Sequence, residues 1–319
     1  MNIVSEIIAV VVVTYNSERF LADLLASLGP GLAGVQWHLT VADNASADGT
    51  VEALRRLAPD ATIVEMGANR GYAAGINAAV AAATPYTAVL VLNPDVRLRP
   101  GCGRELLRAL RTPGTGIAVP RLENGDGALT WSMRREPSIL RTLGDTLLGA
   151  DRAGRFPALG EAVTGNRPYR TEAVTDWAEG STLLISGECW QRCAPWDESF
   201  FLYSEETDFA LRARDAGFTT RFTPAARAVH LGGDSRVSPQ LWTLLALNRV
   251  RLYRRRHGPV RTFGYWGALL LRELSRAVVG RRPSRAAVRA LLSPARLRET
   301  PGPDTLRAAP ARRRARVAG

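Results

Sequence analysis

Three acids crowd a helix start in "FFLYSEETDFALRARDAGF" (200–218), where Glu205, Glu206 and Asp208 precede or open a helical pattern that runs to about Ala216. The helix dipole favours carboxylates at such a position. The flanking Phe200, Phe201, Leu202 and Tyr203 make the setting apolar, so desolvation and repulsion between neighbours raise a carboxylate's basicity. That suits a general base; plain helix capping is the structural alternative. A second chemical group ends the apolar run "VLVLNPDV" (89–96), where Pro94 fixes the turn that aims Asp95. A carboxylate there can hold a divalent cation, and Asp43 in "VADN" can accept from a base imide or from ribose hydroxyls. His230, next to Gly232 and Gly233, is a candidate further metal ligand.

What positions these groups is legible in the periodicity. Apolar runs of strand length occur at Ile7 to Val13, Trp37 to Ala42, Thr62 to Met66, Thr87 to Leu92 and Ser181 to Ser186. Between the first four lie helical patterns at Glu18 to Leu28, at Thr50 to Leu57 with Asp48 as cap, and at Tyr72 to Ala83. Alternation of this kind predicts an α/β fold with a mostly parallel sheet and crossovers of one hand. In such sheets ligands bind beyond the carboxyl ends of the strands. Each of the first four strands delivers polar residues to that rim: Thr14-Tyr15-Asn16, Asp43-Asn44, Asn69-Arg70-Gly71 and Asn93-Pro94-Asp95. The turn after the first strand has no Gly-x-Gly-x-x-Gly, and a chain without lysine has no P-loop. Amides with carboxylates suit a nucleotide sugar and its cation.

The 319 residues are enough for a large core, and no apolar stretch is long enough to span a bilayer. The amino end lacks the flanks of a signal peptide, which predicts a cytosolic chain, and the three cysteines read as small buried hydrophobes. All 42 basic residues are arginine, and 19 of them lie from Arg249 onward beside three acids. Residues 1–248 hold 23 arginines against 27 acids, so the basic character belongs to the tail. An anionic partner is expected there. The expected organisation is a main domain over 1–248, with halves of about 1–112 and 113–248 joined by the weakly patterned stretch 113–168. A helical, partly disordered basic extension over 249–319 follows.

The motifs "VVVTYNSERFLADLLASL", "VADNASADGT", "GANRGYAAGINAAV", "LNPDV" and "WDESFFLYSEETDFALRARDAGFTTRFTPAARAVHLGG" occur in that order across about three quarters of the chain. Together they resemble the family 2 inverting glycosyltransferases of GT-A fold. Within that family they look most like the rhamnosyltransferase branch acting on polyprenyl-diphosphate-linked sugars.

The resemblance implies that Thr14, Tyr15, Asn16, Asp43 and Asn44 hold the nucleoside and that Asn69, Gly71 and Asn77 line the donor pocket. It implies Mg2+ or Mn2+ on Asp95, with Asn93 as a neutral neighbour and His230 completing the ligation. Family members usually have Glu-Asp-x-Asp where this chain has Glu205-Glu206-Thr207-Asp208, which makes Glu206 the expected base and Glu205 its rival. Trp177, Gly180 and Tyr203 are the expected acceptor contacts. The implied reaction is inverting transfer of a sugar, L-rhamnose from dTDP-rhamnose, to a lipid-linked or cell-surface glycan. The Arg-rich tail, with Thr262 to Gly280, would then lie on an anionic membrane at its inner face. Another hexosyl- or galactofuranosyltransferase, a natural-product glycosyltransferase, a nucleotidyltransferase and a degenerate scaffold are the alternatives. Nucleic-acid binding is disfavoured because no base-reading module accompanies the basic tail.

Overall fold

The computed structural model describes residues 6–232 and 238–306. Gly233 and the expected tail segment 307–319 lie outside the described residues. Ile7–Thr14 (β1), Gln36–Asp43 (β2), Thr62–Glu65 (β3) and Ala88–Leu92 (β4) pair side by side in parallel in the order β3-β2-β1-β4. The crossovers carry Glu18–Gly31 (α1), Thr50–Leu57 (α2) and Tyr72–Ala82 (α3). Ile8, Val10 and Val12 of β1 face Leu21, Leu24 and Leu28 of α1, while Val11 and Val13 face Ala73, Ile76 and Ala79 of α3. Successive side chains of a strand point to opposite faces, so a strand covered on both faces must be apolar throughout.

The sheet continues through Val96–Leu98 (β5), Thr115–Glu123 (β6), Thr182–Ser186 (β7) and Thr219–His230 (β8) in the full order β3-β2-β1-β4-β7-β6-β8-β5. β7 is antiparallel to both β4 and β6, and β5 to β8, whereas β6 and β8 are parallel. The weakly patterned stretch 113–168 therefore contains a central strand, β6, buried at every position but Arg121. Gly116 and Pro120 interrupt its apolar run and mask it from a periodicity reading. Sequences on both sides of residue 112 share one sheet.

Cys102–Leu110 (α4) covers β6 and β8. Ile139–Leu148 (α5), Glu205–Asp215 (α6), Pro239–Arg256 (α7), Pro259–Val278 (α8) and Arg282–Leu291 (α9) follow. The last three share a separate core, in which the rings of Tyr253 and Tyr265 stack at 4.1 Å beside Ala287 and Leu291. The boundary expected between 248 and 249 falls inside α7, and Arg249 forms a buried ion pair with Glu161 of the preceding region. None of the described helices is long and apolar enough to cross a membrane.

Candidate active site

The parallel register brings Thr14 level with Asp43, and β4 ends beside the start of β7, with Leu92 opposite Thr182. At this carboxyl rim a cleft of about 770 Å³ opens, walled by the strand ends, the loops before α3, β7 and α6, the end of β8 and the start of α7. Thr14, Tyr15, Asn16, Asn44, Asn69, Gly71, Asn93 and Asp95 all line it, as do Gly180, Tyr203, Glu205, Glu206 and His230.

Four of the sequence-expected residues are placed elsewhere. Asp43 is buried beneath the wall, where its carboxylate accepts from Thr14 Oγ1 at 2.8 Å, Ser46 N at 2.8 Å and Ser46 Oγ at 2.6 Å. It thus holds the loop that presents Asn16 and Asn44. Asn77 does not line the cleft: its amide donates to Trp196 O at 2.9 Å and Glu198 Oε1 at 3.0 Å and accepts from Trp196 N at 2.9 Å. Trp177 is buried in the core, and its indole donates to Arg135 O at 3.0 Å. Asp208 accepts from Arg212 Nε at 2.7 Å one turn along α6. For Asp43, Asn77 and Trp177 the polar group is consumed mainly by backbone and loop groups that would otherwise lack partners, and Asp208 is consumed by an ion pair within its own helix.

The strand ends are cross-braced. Asn44 donates to Gly71 O at 3.0 Å, and Tyr72, which the sequence did not single out, donates its hydroxyl to Asn93 Oδ1 at 2.6 Å. Gly71 adopts φ +92°, and a Cβ there would lie 2.3 Å from Phe201 O. Only glycine allows the α3 loop to lie against the loop that leads to α6.

The antiparallel pairing of β8 with β5 sets His230 opposite Val96, and this register alone delivers the imidazole to Asp95. His230 Nε2 lies 3.3 Å from Asp95 Oδ2. Burial works against the imidazolium, but the hydrogen bond and charge of Asp95 outweigh it and raise the His230 pKa. A carboxylate beside an imidazole supplies two ligand types that would suit a small divalent cation. Among the described residues no cluster of three or more His, Cys, Asp or Glu stands ready to hold a metal. Asp95 and His230 fit the group; Asn93 already accepts from Tyr72.

The two glutamates differ in access. Glu205 is 3% exposed, and its Oε2 has no hydrogen-bond partner. Burial and then the Glu206 charge push its pKa well up. Glu206 is only partly buried, opens to the cleft, and is pushed up to about 7 by burial, with the Glu179 charge adding to the shift. In a tightly coupled pair the more buried member keeps its proton, which leaves Glu206 as the carboxylate near neutral pH. Gly180 lies directly across: a Cβ there would stand 3.1 Å from Glu206 Cβ.

The loop carrying these acids has an unusual conformation, with φ +56° at Phe201, +70° at Tyr203 and +79° at Ser204. Asn248 of α7 holds it. The fully buried amide donates to Phe200 O at 2.8 Å, Leu202 O at 2.9 Å and Tyr203 O at 3.0 Å. Ser238, Gln240 and Leu241 at the start of α7 also line the cleft. No local pattern marks these contributions; only the Ser-Pro helix start at Ser238-Pro239 is visible in the sequence. Asn248→Ala leaves the Leu202 and Tyr203 carbonyls without this donor, while Phe200 O still accepts from Leu202 N, and is expected to cost about 1–3 kcal/mol of stability. Because the strained loop then relaxes, turnover should fall more than donor affinity. Melting curves beside kcat and KM check this, and unchanged kcat at a lowered Tm would reduce Asn248 to a structural residue.

Comparison with known proteins adds a lineage to this geometry. Residues 9–177 match the family described as Glycosyl transferase family 2. An N-acetylglucosaminyl-diphospho-decaprenol L-rhamnosyltransferase of Mycobacterium tuberculosis is 32% identical, over 71% of this chain and 76% of that protein. A low-salt glycan biosynthesis hexosyltransferase of Haloferax volcanii is 27% identical, over 70% of this chain and 66% of its own length. A mannosyltransferase of Pyrobaculum calidifontis, solved with GDP-Man and Mn2+, superposes with a TM-score of 0.54 at 19% identity, covering 91% of this chain and 81% of that one. That similarity establishes a GT-A fold.

Proposed function

The chain belongs to glycosyl transferase family 2 and is a glycosyltransferase, and we propose that it transfers L-rhamnose from dTDP-rhamnose, with inversion, to a hydroxyl of a polyprenyl-diphosphate-linked glycan. The observation that carries the reading is one cleft shared by two opposed chemistries. An Asp95–His230 pair suited to a cation and its diphosphate sits with an accessible, basic Glu206. The sugar and the lipid-linked acceptor are supported by the mycobacterial relative, whose name specifies L-rhamnosyl transfer and N-acetylglucosaminyl-diphospho-decaprenol. The proposal puts the enzyme at the inner face of the plasma membrane, within reach of soluble nucleotide sugars.

In this reading the loops of Thr14, Asn16 and Asn44 hold the nucleoside, with Asp43 bracing them from below. Asp95 and His230 would hold Mg2+ or Mn2+. When bound, that cation supplies positive charge against the departing diphosphate. Glu206 accepts the proton of the acceptor hydroxyl as its oxygen bonds to the anomeric carbon on the face opposite the leaving group. Glu205, protonated beside it, adds no second negative charge. Gly180 and Tyr203 line the side from which the acceptor approaches Glu206.

The test is a panel of nucleotide sugars with Mn2+, read by protection against melting, nucleotide release and the anomeric configuration of the product. The greatest protection and release are expected with dTDP-rhamnose, and the product configuration should be inverted. A larger response to another nucleotide sugar would reassign the donor, towards another hexose or galactofuranose, and a retained configuration would overturn Glu206 as base.

A further inference from the structure

Packing does not use up all of α8. Tyr265, Ala268, Leu269, Arg272 and Glu273 form its buried side. At 100° per residue, Val260, Phe263, Leu271, Leu274 and Val278 fall within an arc of roughly 80° on the other side. They are 84, 70, 50, 40 and 84% exposed. Gly267, in the middle of this stripe, has no atom within 4 Å of where its Cβ would be. The stripe widens onto α5, which packs beside α8 where Ile139 approaches Gly264 and which leaves Leu140 and Leu147 exposed. A cluster of exposed apolar side chains on two neighbouring helices marks a contact surface.

Charge selects its occupant. From residue 259 to 291 the chain carries seven arginines and one acid, Glu273. That acid is buried and accepts from Trp242 Nε1 at 2.7 Å. Arg261, Arg281, Arg282, Arg285 and Arg289 are exposed. A second copy presenting the same face would set like charges together. An anionic lipid surface offers the opposite charge to the rim and hydrocarbon to the stripe, and arginine stems reach from one to the other. The position relative to the cleft agrees. Leu241 of α7 lines the cleft, and the adjacent Trp242 touches α8 through Glu273 and lies 5.8 Å beneath Arg276. The stripe's carboxyl-terminal half is therefore one helix away from the site.

We propose that the outer face of α8, with Leu140 and Leu147 of α5, seats the enzyme on an anionic bilayer with α8 lying in the interface, and so brings the cleft to a hydroxyl carried on a lipid diphosphate. The orientation deepens the function proposed above and rests on it for the acceptor.

The experiment uses the full chain and vesicles of phosphatidylcholine with and without phosphatidylglycerol. The protein should sediment with the anionic vesicles at low salt and much less at high salt. The double variant Phe263→Ser/Leu271→Ser should lower the partition coefficient at least about tenfold, and Arg282→Gln/Arg289→Gln should lower it on anionic vesicles only. Both should melt like the parent and keep donor protection, because neither pair is buried. Parent-like sedimentation of the Phe263/Leu271 variant would overturn the proposal. So would a dimeric parent made monomeric by that variant, which would make the face an interface between copies. Vesicle binding with no transfer to any hydroxyl acceptor would instead sink the functional reading and leave the docking face standing.

Discussion

Glu206→Gln is expected to lower the rate of sugar transfer about 10²–10⁴-fold, the usual range for a lost general base, while donor binding with Mn2+ stays within about twofold. The amide keeps the shape of the side chain and cannot take a proton. Glu205→Gln should cost far less, because Glu205 is the more buried of the two and its pKa is pushed well up, so it already carries its proton. The same raised pKa gives two pH signatures. In the parent enzyme kcat/KM should fall on the acid side of about 7, well above the ordinary glutamate value of 4.5. The folded protein holds the Glu206 proton up to about 7, whereas the unfolded chain releases it near 4.5. Between those values the native state binds more protons, so this group's contribution to stability declines as pH rises through that window. Glu206→Gln removes the decline. The inactive variant should melt above the parent at pH 8, by at most about 3 kcal/mol in stability, and level with it at pH 4.5 or below. Near-normal turnover at 206, or a Tm difference of the opposite sign, would exclude Glu206 as the base.

Asp95→Asn is the second large effect expected, about 10²–10³-fold in kcat/KM. The substitution retains size and hydrogen bonding but removes the charge that pairs with His230 and that a divalent cation needs. Titration calorimetry should show that Mn2+ no longer strengthens binding of the nucleoside diphosphate, and chelation should reduce the parent to the level of the variant. His230 adds a pH dependence: its raised pKa keeps a proton on the imidazole that a cation must displace, so metal-dependent donor binding should strengthen as pH rises through it. An Asp95→Asn enzyme with intact Mn2+ dependence would remove Asp95 from the metal site.

The basic extension takes on a different character once α7 is seen in place. A tail rich in arginine invites truncation, yet Asn248 braces the loop before Glu205, and Ser238, Gln240 and Leu241 line the cleft. The accessory part of the chain begins no earlier than α8.

Much was determined by the sequence alone, because it is encoded within single turns and strands. Apolar runs covered on both faces had to be strands, the polar residues that follow them were expected around one rim, and three acids at a helix start announced a carboxylate site. Tertiary structure decided the rest, since the deciding contacts join residues far apart in the chain. The register of β8 against β5 sets His230 beside Asp95, and loop closure engages Asp43 and Asn77 in hydrogen bonds that brace the loops. Burial separates Glu205 from Glu206, and packing against α7 leaves one side of α8 facing outward. Side-chain periodicity is local, whereas desolvation and pairing depend on which distant surface arrives, and no spacing along the chain carries that information.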